Sequence, residues 1–396
     1  MRVLRIAACL FVFTATFAGS QEVVVRKGGS AKKAVDLAGL KIAQSPAAGI
    51  FRRTLEADLI RSGWFVLATP GAFSVLGACD DSGGNLGVRC QVFSGQECRL
   101  NKSFAETSVQ ARRLAHKVAD EIVMALTGHP GIASTHIVLV GNRSGAKELY
   151  ICDYDGENLQ QVTADRSIIL GPHWNPQANQ VVYTSFRGGF PDAYVIDLGS
   201  RAWRRVAKFP GVNTAGHVAP NGRDLALALS KDGNPEIYVM SLGGGGLTRL
   251  THTSPAGEAS PAWSPDGNQI VFVSDTSGSP QLYVMDRSGG SRKRLTSRGS
   301  ENVDPDWGSN GLITYASKRG KFQICVLDPQ TLKDTQITQD AADYETPSWA
   351  PDGRHIVCSR TAGYSSSVYV VDTLGDNPIP LGKFGGDWYC PAWSPK

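Results

Sequence analysis

Pro261-Ala262-Trp263-Ser264-Pro265-Asp266-Gly267 runs into Ile270-Val271-Phe272-Val273, then Gln281-Leu282-Tyr283-Val284-Met285-Asp286, then Arg294-Leu295-Thr296. A Pro-Asp-Gly turn followed by short β-branched and aromatic runs describes four consecutive antiparallel strands. The same unit recurs along the chain. Trp174, Val218, Trp263, Trp307, Trp349 and Trp393 share the Trp position, at spacings of 44, 45, 44, 42 and 44 residues. Tyr150, Tyr194, Tyr238, Tyr283, Cys325 and Tyr369 mark the third strand, and Val162, Val206, Leu250, Leu295, Ile337 and Leu381 the fourth. A repeat of this length with four strands per unit indicates propeller blades. The first Tyr precedes the first Trp, and the last Trp follows the last Tyr. One blade is therefore split, with its inner strand from the C-terminus and its outer strands from residues 135–163. The fold expected is an all-β six-bladed β-propeller over residues 129–396, preceded by a small α+β domain over 21–128.

Residues 1–20 read as a secretory signal: Arg2 and Arg5, then the apolar Ile6–Phe17, then small residues at Ala18–Ser20. Ile6–Cys9 also fits a lipid-attachment box, but no apolar stretch precedes it. The apolar run is too short to span a bilayer. An exported chain, peripheral to the membrane at most and monomeric, is expected. The formal net charge is +4 and falls to +2 without Arg2 and Arg5, so no concentrated basic stripe argues for nucleic acid.

Residues 21–128 lack the repeat. A short strand is expected at Gly39–Gln44, a helix through Ile50, Phe51, Leu55 and Leu59, and an extended stretch at Trp64–Ala68. Phe73–Cys79, Val88–Phe93 and Cys98–Phe104 read as a meander. A long helix from about Ser108 to Thr127 ends at Gly128. Seven cysteines follow the signal. Cys79, Cys90 and Cys98 lie on neighbouring strands where one pair could bridge a hairpin. Cys152, Cys325, Cys358 and Cys390 fall inside blade strands, as small buried hydrophobes. His173 and His217 share one repeat position and should approach each other.

The blade motif, the Leu126-Thr127-Gly128 lead into the split blade, Asp153-Tyr154-Asp155-Gly156 at its third-strand turn and the closing Pro391-Ala392-Trp393-Ser394-Pro395 resemble the TolB family, the periplasmic component of the Tol–Pal system. The likeness covers nearly all of residues 21–396. It departs between Trp64 and Phe73, where the segment is short and one helix is expected to be missing, and at the mature N-terminus, which is not an obvious copy of the family's TolA-binding peptide. The resemblance implies a periplasmic scaffold, not an enzyme. Its propeller mouth would bind the peptidoglycan-associated lipoprotein Pal. Glu22, Val23, Val24, Val25 and Arg26 would form a docking segment for a TolA-like inner-membrane partner.

The mouth would be lined by the six loops leading into the inner strands. These loops carry Asn213, Ala215, Glu258, Ala259, Ser260, Asn302, Asp304, Glu345, Thr346 and Tyr389. Loops on a rigid scaffold are common binding sites. Replacing Glu258 and Asn302 with Ala is expected to weaken Pal binding without changing the melt. Glu258, Asp304 and Glu345 also make a candidate oxygen set for calcium, although no EF-hand spacing occurs; no other cofactor is expected.

A prolyl-oligopeptidase-type propeller would need a Gly-x-Ser-x-Gly elbow in a hydrolase domain, and the sequence contains none. Asp81-Ser82-Gly83-Gly84 resembles a serine-protease nucleophile stretch but reads better as a hairpin turn. A propeller binding a glycan or small ligand remains open, with Trp388 and Tyr389 as its aromatic platform.

Overall fold

A computed structural model describes residues 32–396. The segment Glu22–Arg26 and the signal sequence lie outside the described residues. The N-terminal part is a six-stranded sheet carrying two helices, α1 (Pro46–Arg61) and α2 (Ala111–Thr127). Helix α1 starts where Ser45 caps it: its side-chain oxygen accepts the Ala48 N–H at 3.2 Å. Helix α2 stops at Gly128, whose left-handed φ of 75° only Gly adopts without cost. The expected meander is present as Phe73–Ser82, Asn85–Ser94 and Glu97–Thr107. Asp81 belongs to it structurally, accepting hydroxyl hydrogen bonds from Ser45 and Ser108 at 2.7 Å. The chain passes from strand Phe65–Leu67 to Phe73 without a helix.

Strand Lys33–Asp36 is not foreseen by the sequence pattern. It pairs in parallel with Phe65–Leu67 and with the start of the meander. It is short, and only Val35 in it is fully buried, so it carries almost no periodic signal. None of the cysteines among the described residues is paired. Cys79 lies opposite Val88 and Cys90 opposite Gly77, so the two are offset along the hairpin rather than facing.

Six four-stranded antiparallel sheets follow. Blades 1 to 5 run in chain order from Ile169–Trp174 to Ile379–Pro380, each starting at its inner strand. Blade 6 is the split one. Trp388–Trp393 pairs antiparallel with His136–Gly141, matching Trp393 to Ile137 and Trp388 to Gly141. A Cβ at Gly141 would come within 2.3 Å of the Trp388 ring, so only Gly lets this indole lie flat on the strand. The Trp side chains fill the wedges between blades. The Trp263 Nε1–H donates to the His217 carbonyl of blade 2, and the Trp174 Nε1–H to the Ala392 carbonyl of blade 6. Where blade 2 has Val218 instead, its inner strand shrinks to Asn213–Thr214 plus one isolated bridge.

One apolar cluster runs from the N-terminal helices into blades 5 and 6, including Phe51, Leu55, Leu114, Val357, Trp388 and Trp393. Polar contacts reinforce this seam. Asp58 of α1 accepts from the Tyr154 hydroxyl at 2.6 Å and faces His116 Nδ1 at 2.7 Å. Arg354 donates to the Gly63 carbonyl at 3.1 Å and lies 4.5 Å from the Trp64 ring centre.

Trp393 is 4% exposed and its Nε1–H donates to Thr135 Oγ1 at 2.7 Å. We predict that Trp393→Ala lowers stability by about 3–5 kcal/mol, the usual cost of emptying such a site. Urea unfolding followed by circular dichroism checks this. An unshifted midpoint would show that the closing strand contributes little.

Candidate functional site

The inner strands surround a central channel with two mouths. At the mouth formed by the loops leading into these strands, a cavity of about 330 Å³ is lined by Ala215, Ser260, Asp304, Thr346 and Cys390 among others. These residues, with Gly171, hold one repeat position, three before the Trp. Five of the six have positive φ: Gly171 52°, Ser260 48°, Asp304 52°, Thr346 49° and Cys390 44°. Each of those five sits in a β-bulge that shifts the inner-strand register, for example between Ala259 and Ala262 and between Glu345 and Ser348. A proline follows each one. The left-handed region is costly for a non-glycine residue, and most of all for a β-branched one such as Thr346. The repeat holds it at the channel in blade after blade, so the mouth is a fixed ring.

Of the expected site residues, Ala215, Ala259, Ser260, Asp304 and Thr346 share this cavity. Glu345 is half-buried, and its carboxyl is raised by burial and by the charge of Asp304. Asp304 is also raised by burial, against hydrogen bonds from the Thr346 backbone and the Ser260 hydroxyl. Tyr389 is half-buried, with the Lys147 ammonium 4.3 Å from its ring centre.

Asn213, Glu258 and Asn302 require correction. Each is at most 1% exposed and points into the seam between two blades rather than at the mouth. There each meets the first residue of the preceding blade's third strand. The Asn213 amide donates to Asp192 at 3.2 Å, and the Asn302 amide to Gln281 at 2.7 Å. Glu258 faces Glu236, with Thr253 reaching both carboxyls. These side chains are inter-blade struts and cannot touch a partner. The signal was in the sequence: Asp192/Asn213, Glu236/Glu258 and Gln281/Asn302 are polar pairs 21 or 22 residues apart in successive repeats.

The same placement breaks up the calcium set, since Glu258 does not join Asp304 and Glu345. Among the described residues no group of three or more His, Cys, Asp or Glu is placed to hold a metal ion. The aromatic platform also changes. Trp388 is 2% exposed and packs on Tyr150 and Phe384, so it offers no face to a sugar. Cys390 lies inside its blade strand as expected, but it is half-buried and lines the channel rather than the core.

A feature missed from sequence is an apolar arc on the rim of blades 1 and 2. Ile168, Leu170, Phe190 and Val212 are 49, 37, 72 and 40% exposed. They lie on adjoining loops: the Phe186 N–H donates to the Ile168 carbonyl at 3.0 Å, and the Asn213 N–H to the Pro191 carbonyl at 3.1 Å. Exposed apolar groups gathered on one rim mark an interaction site more strongly than scattered ones.

The opposite mouth, about 390 Å³, is lined by the Trp-Ser-Pro turns and by His173, His217, Asp306 and Ser348. The His173 and His217 rings lie 5.6 Å apart, as the repeat implied. Burial lowers both imidazoles to about 4, with His217 adding to the shift at His173, so both are neutral at pH 7. His217 Nδ1 accepts the Trp263 N–H at 3.0 Å, which puts its proton on Nε2. Asp306 and Ser348 make the equivalent bonds to the N–H groups of Trp349 and Trp393.

The raised Glu258 and the lowered Glu236 would together hold one proton. Burial, then the neighbouring Glu236, pushes Glu258 up to about 7. Burial would raise Glu236 too, but hydrogen bonds from Glu258, Thr251, Thr253 and Arg249 outweigh it and hold it at about 2. The raised group stabilises the fold fully below its unfolded value and loses that contribution as pH rises through about 7. The lowered His173 and His217 act in the opposite sense, losing stability as pH falls below about 6.5. The Glu258 component is therefore read as a difference: we predict that the melting temperature of the unsubstituted chain falls relative to that of Glu258→Gln, a neutral donor, as pH rises from about 5 to about 7. Parallel melts of the two proteins across that range would refute the shared proton. Asn302→Ala should cost about 1–3 kcal/mol by stranding its partners, against the unchanged melt expected from sequence; chemical denaturation measures it.

The family pattern described as TolB beta propeller domain matches residues 123–396. A protein TolB homolog of Chlorobium chlorochromatii is 33% identical over 195 residues, 42% of this chain and 44% of that one. A Tol-Pal system protein TolB of Geobacter metallireducens is 42% identical over 90 residues, 23% of this chain and 21% of that one. The matches span less than half the length of these curated relatives. The crystal structure of TolB from Acinetobacter baumannii superposes with a TM-score of 0.84 at 28% identity, covering 93% of this chain and 98% of that one. With its six blades, its split sheet and its helix-bearing N-terminal sheet, this chain belongs to the TolB β-propeller family.

Proposed function

We propose that this chain is a non-enzymatic, periplasmic component of a Tol–Pal-type envelope system, and that its propeller mouth docks the lipoprotein Pal. Membership of the TolB family supports the system. The observation that carries the docking reading is the mouth itself, a ring of conformationally fixed residues around a cavity, with the apolar arc Ile168, Leu170, Phe190 and Val212 on its rim. Six loops on one rigid scaffold read a folded partner without rearrangement, which limits the ordering cost of binding. Ser260, Asp304 and Thr346 supply polar groups at the centre, and the arc supplies the apolar anchor that interface hot spots need. The buried Trp388 gives this site no aromatic face for a sugar.

A TolA-like inner-membrane protein is the proposed second partner, through Glu22–Arg26. Coupling between the two partners would require the mouth-bound and free forms to differ in how that segment is held. The seam of Tyr154, Asp58 and His116 is the connection available for it.

Calorimetric titration with purified Pal tests the mouth. Phe190→Ala combined with Leu170→Ala is expected to weaken binding by at least about 2 kcal/mol, roughly thirtyfold in Kd. Glu258→Gln should bind as the unsubstituted chain does. Full affinity in the double variant would move the docking site away from this rim.

A further inference from the structure

Blade 1 differs from the other blades at its outer edge. Its fourth strand, Trp203–Ala207, has five residues, where the other fourth strands have two or three. It pairs with Asp192–Asp197 on one side, and no strand among the described residues pairs with it on the other. The Asp197 N–H donates to the Ala202 carbonyl at 2.8 Å. Antiparallel pairs alternate from there to Arg205, so the N–H and C=O groups of Trp203 and Arg205 turn to the open side; a bulge between Arg205 and Ala207 ends that alternation. An edge of this length is a template for one more strand.

The side chains say what kind of strand. Residues 199–208 carry Arg201, Arg204, Arg205 and Lys208 and no acidic residue. Arg205 is engaged by Asp192 at 2.9 Å, and Arg204 donates to the Leu242 carbonyl. Arg201 and Lys208 form no ion pair among the described residues. Trp203 is 49% exposed, and the Arg187 guanidinium lies 3.5 Å from its ring centre. That stack fixes an aromatic surface beside the edge, while the Arg187 charge itself is paired with Asp165 at 3.0 Å. Two copies of the chain pairing here would set Arg against Arg, and like charges directly opposite destabilise a strand pair. The charge pattern therefore rejects self-pairing and favours an acidic strand.

We propose that the outer edge of blade 1 is a second docking surface, where an acidic, extended segment of a partner protein adds as a fifth strand. This site is separate from the mouth and does not depend on Pal binding there.

The test uses the mature chain and a short fluorescein-labelled peptide of alternating glutamate and valine. Two control peptides are a proline-interrupted one of the same charge and one of alternating lysine and valine. The glutamate peptide should raise fluorescence anisotropy saturably, and its affinity should fall with added salt. Both controls should fail. Arg204→Glu, at an exposed position, should weaken binding at least about threefold, following the cost of facing like charges across a strand pair. Absence of binding would overturn the proposal. Equal binding of the proline-interrupted peptide would also overturn it, since charge alone would then suffice. Dimerisation of the free chain that Arg204→Glu alters, seen by analytical ultracentrifugation, would replace it with a second copy as the occupant.

Discussion

The whole propeller depends on one pairing: the C-terminal strand Trp388–Trp393 laid against His136–Gly141. A row of twisted sheets leaves two open faces unless it is closed into a ring. Here the closure is made by backbone hydrogen bonds between segments some 250 residues apart, and locked by side chains. Trp393 reaches Thr135, Ser394 accepts the His136 N–H at 3.0 Å, and Lys396 donates to the Gly131 carbonyl. The contacts extend past the sheet to the residues that lead out of α2. Ring closure and the attachment of the N-terminal part are thus one structural event, and the apolar cluster spanning both is its packed interior.

The blades are joined by two repeating polar devices as well as by the Trp wedges. Near the channel, His217, Asp306 and Ser348 accept the backbone N–H of the next blade's Trp position. Further out, in the three seams from blade 1 to blade 4, the first residue of an inner strand meets the first residue of the preceding blade's third strand. Both devices bury polar groups, most of which find a partner, although Asn302 Oδ1 does not. Glu236 and Glu258 bring two carboxyls together where Asn213 and Asn302 use an amide. That variation explains why a carboxylate at this position does not signal a site.

Much of this was legible in the sequence, because the repeat supplies its own alignment. The split blade, the hairpins, the cap at Gly128 and the approach of His173 to His217 follow from strand period and repeat position alone. The candidate site was less legible. Sequence position placed Asn213, Glu258 and Asn302 in the correct loops, but not which way their side chains turn. A bulge inserts an extra residue and reverses the facing of its neighbours, and a two-residue periodicity cannot register that. Trp388 is hidden for a related reason: it neighbours a mouth residue in sequence, but Gly141 opens a slot that buries it. The exposure of Ile168, Leu170, Phe190 and Val212 leaves no pattern in the sequence, because apolar residues flanking strands read as core.

The fixed mouth limits how any signal could travel. Four non-glycine residues in left-handed conformations, each followed by proline, leave the ring few alternative geometries. Packed interiors switch between discrete arrangements rather than deform continuously. Binding at the mouth could therefore be reported elsewhere only through elements with a second arrangement available. The blade seams also hold buried atoms without a partner, Asn302 Oδ1 and Trp349 Nε1, but each seam is locked into the closed ring, which argues against them. The junction with the N-terminal part is different. His116 Nε2 is buried there without a partner, and Asp58, its carboxyl raised chiefly by burial, is held by one hydroxyl and one imidazole. A buried polar atom left unsatisfied costs stability that a small shift between helices and blades could recover. In this chain the seam between α1, α2 and the Tyr154 turn is thus the place where a change at the propeller could move the N-terminal part.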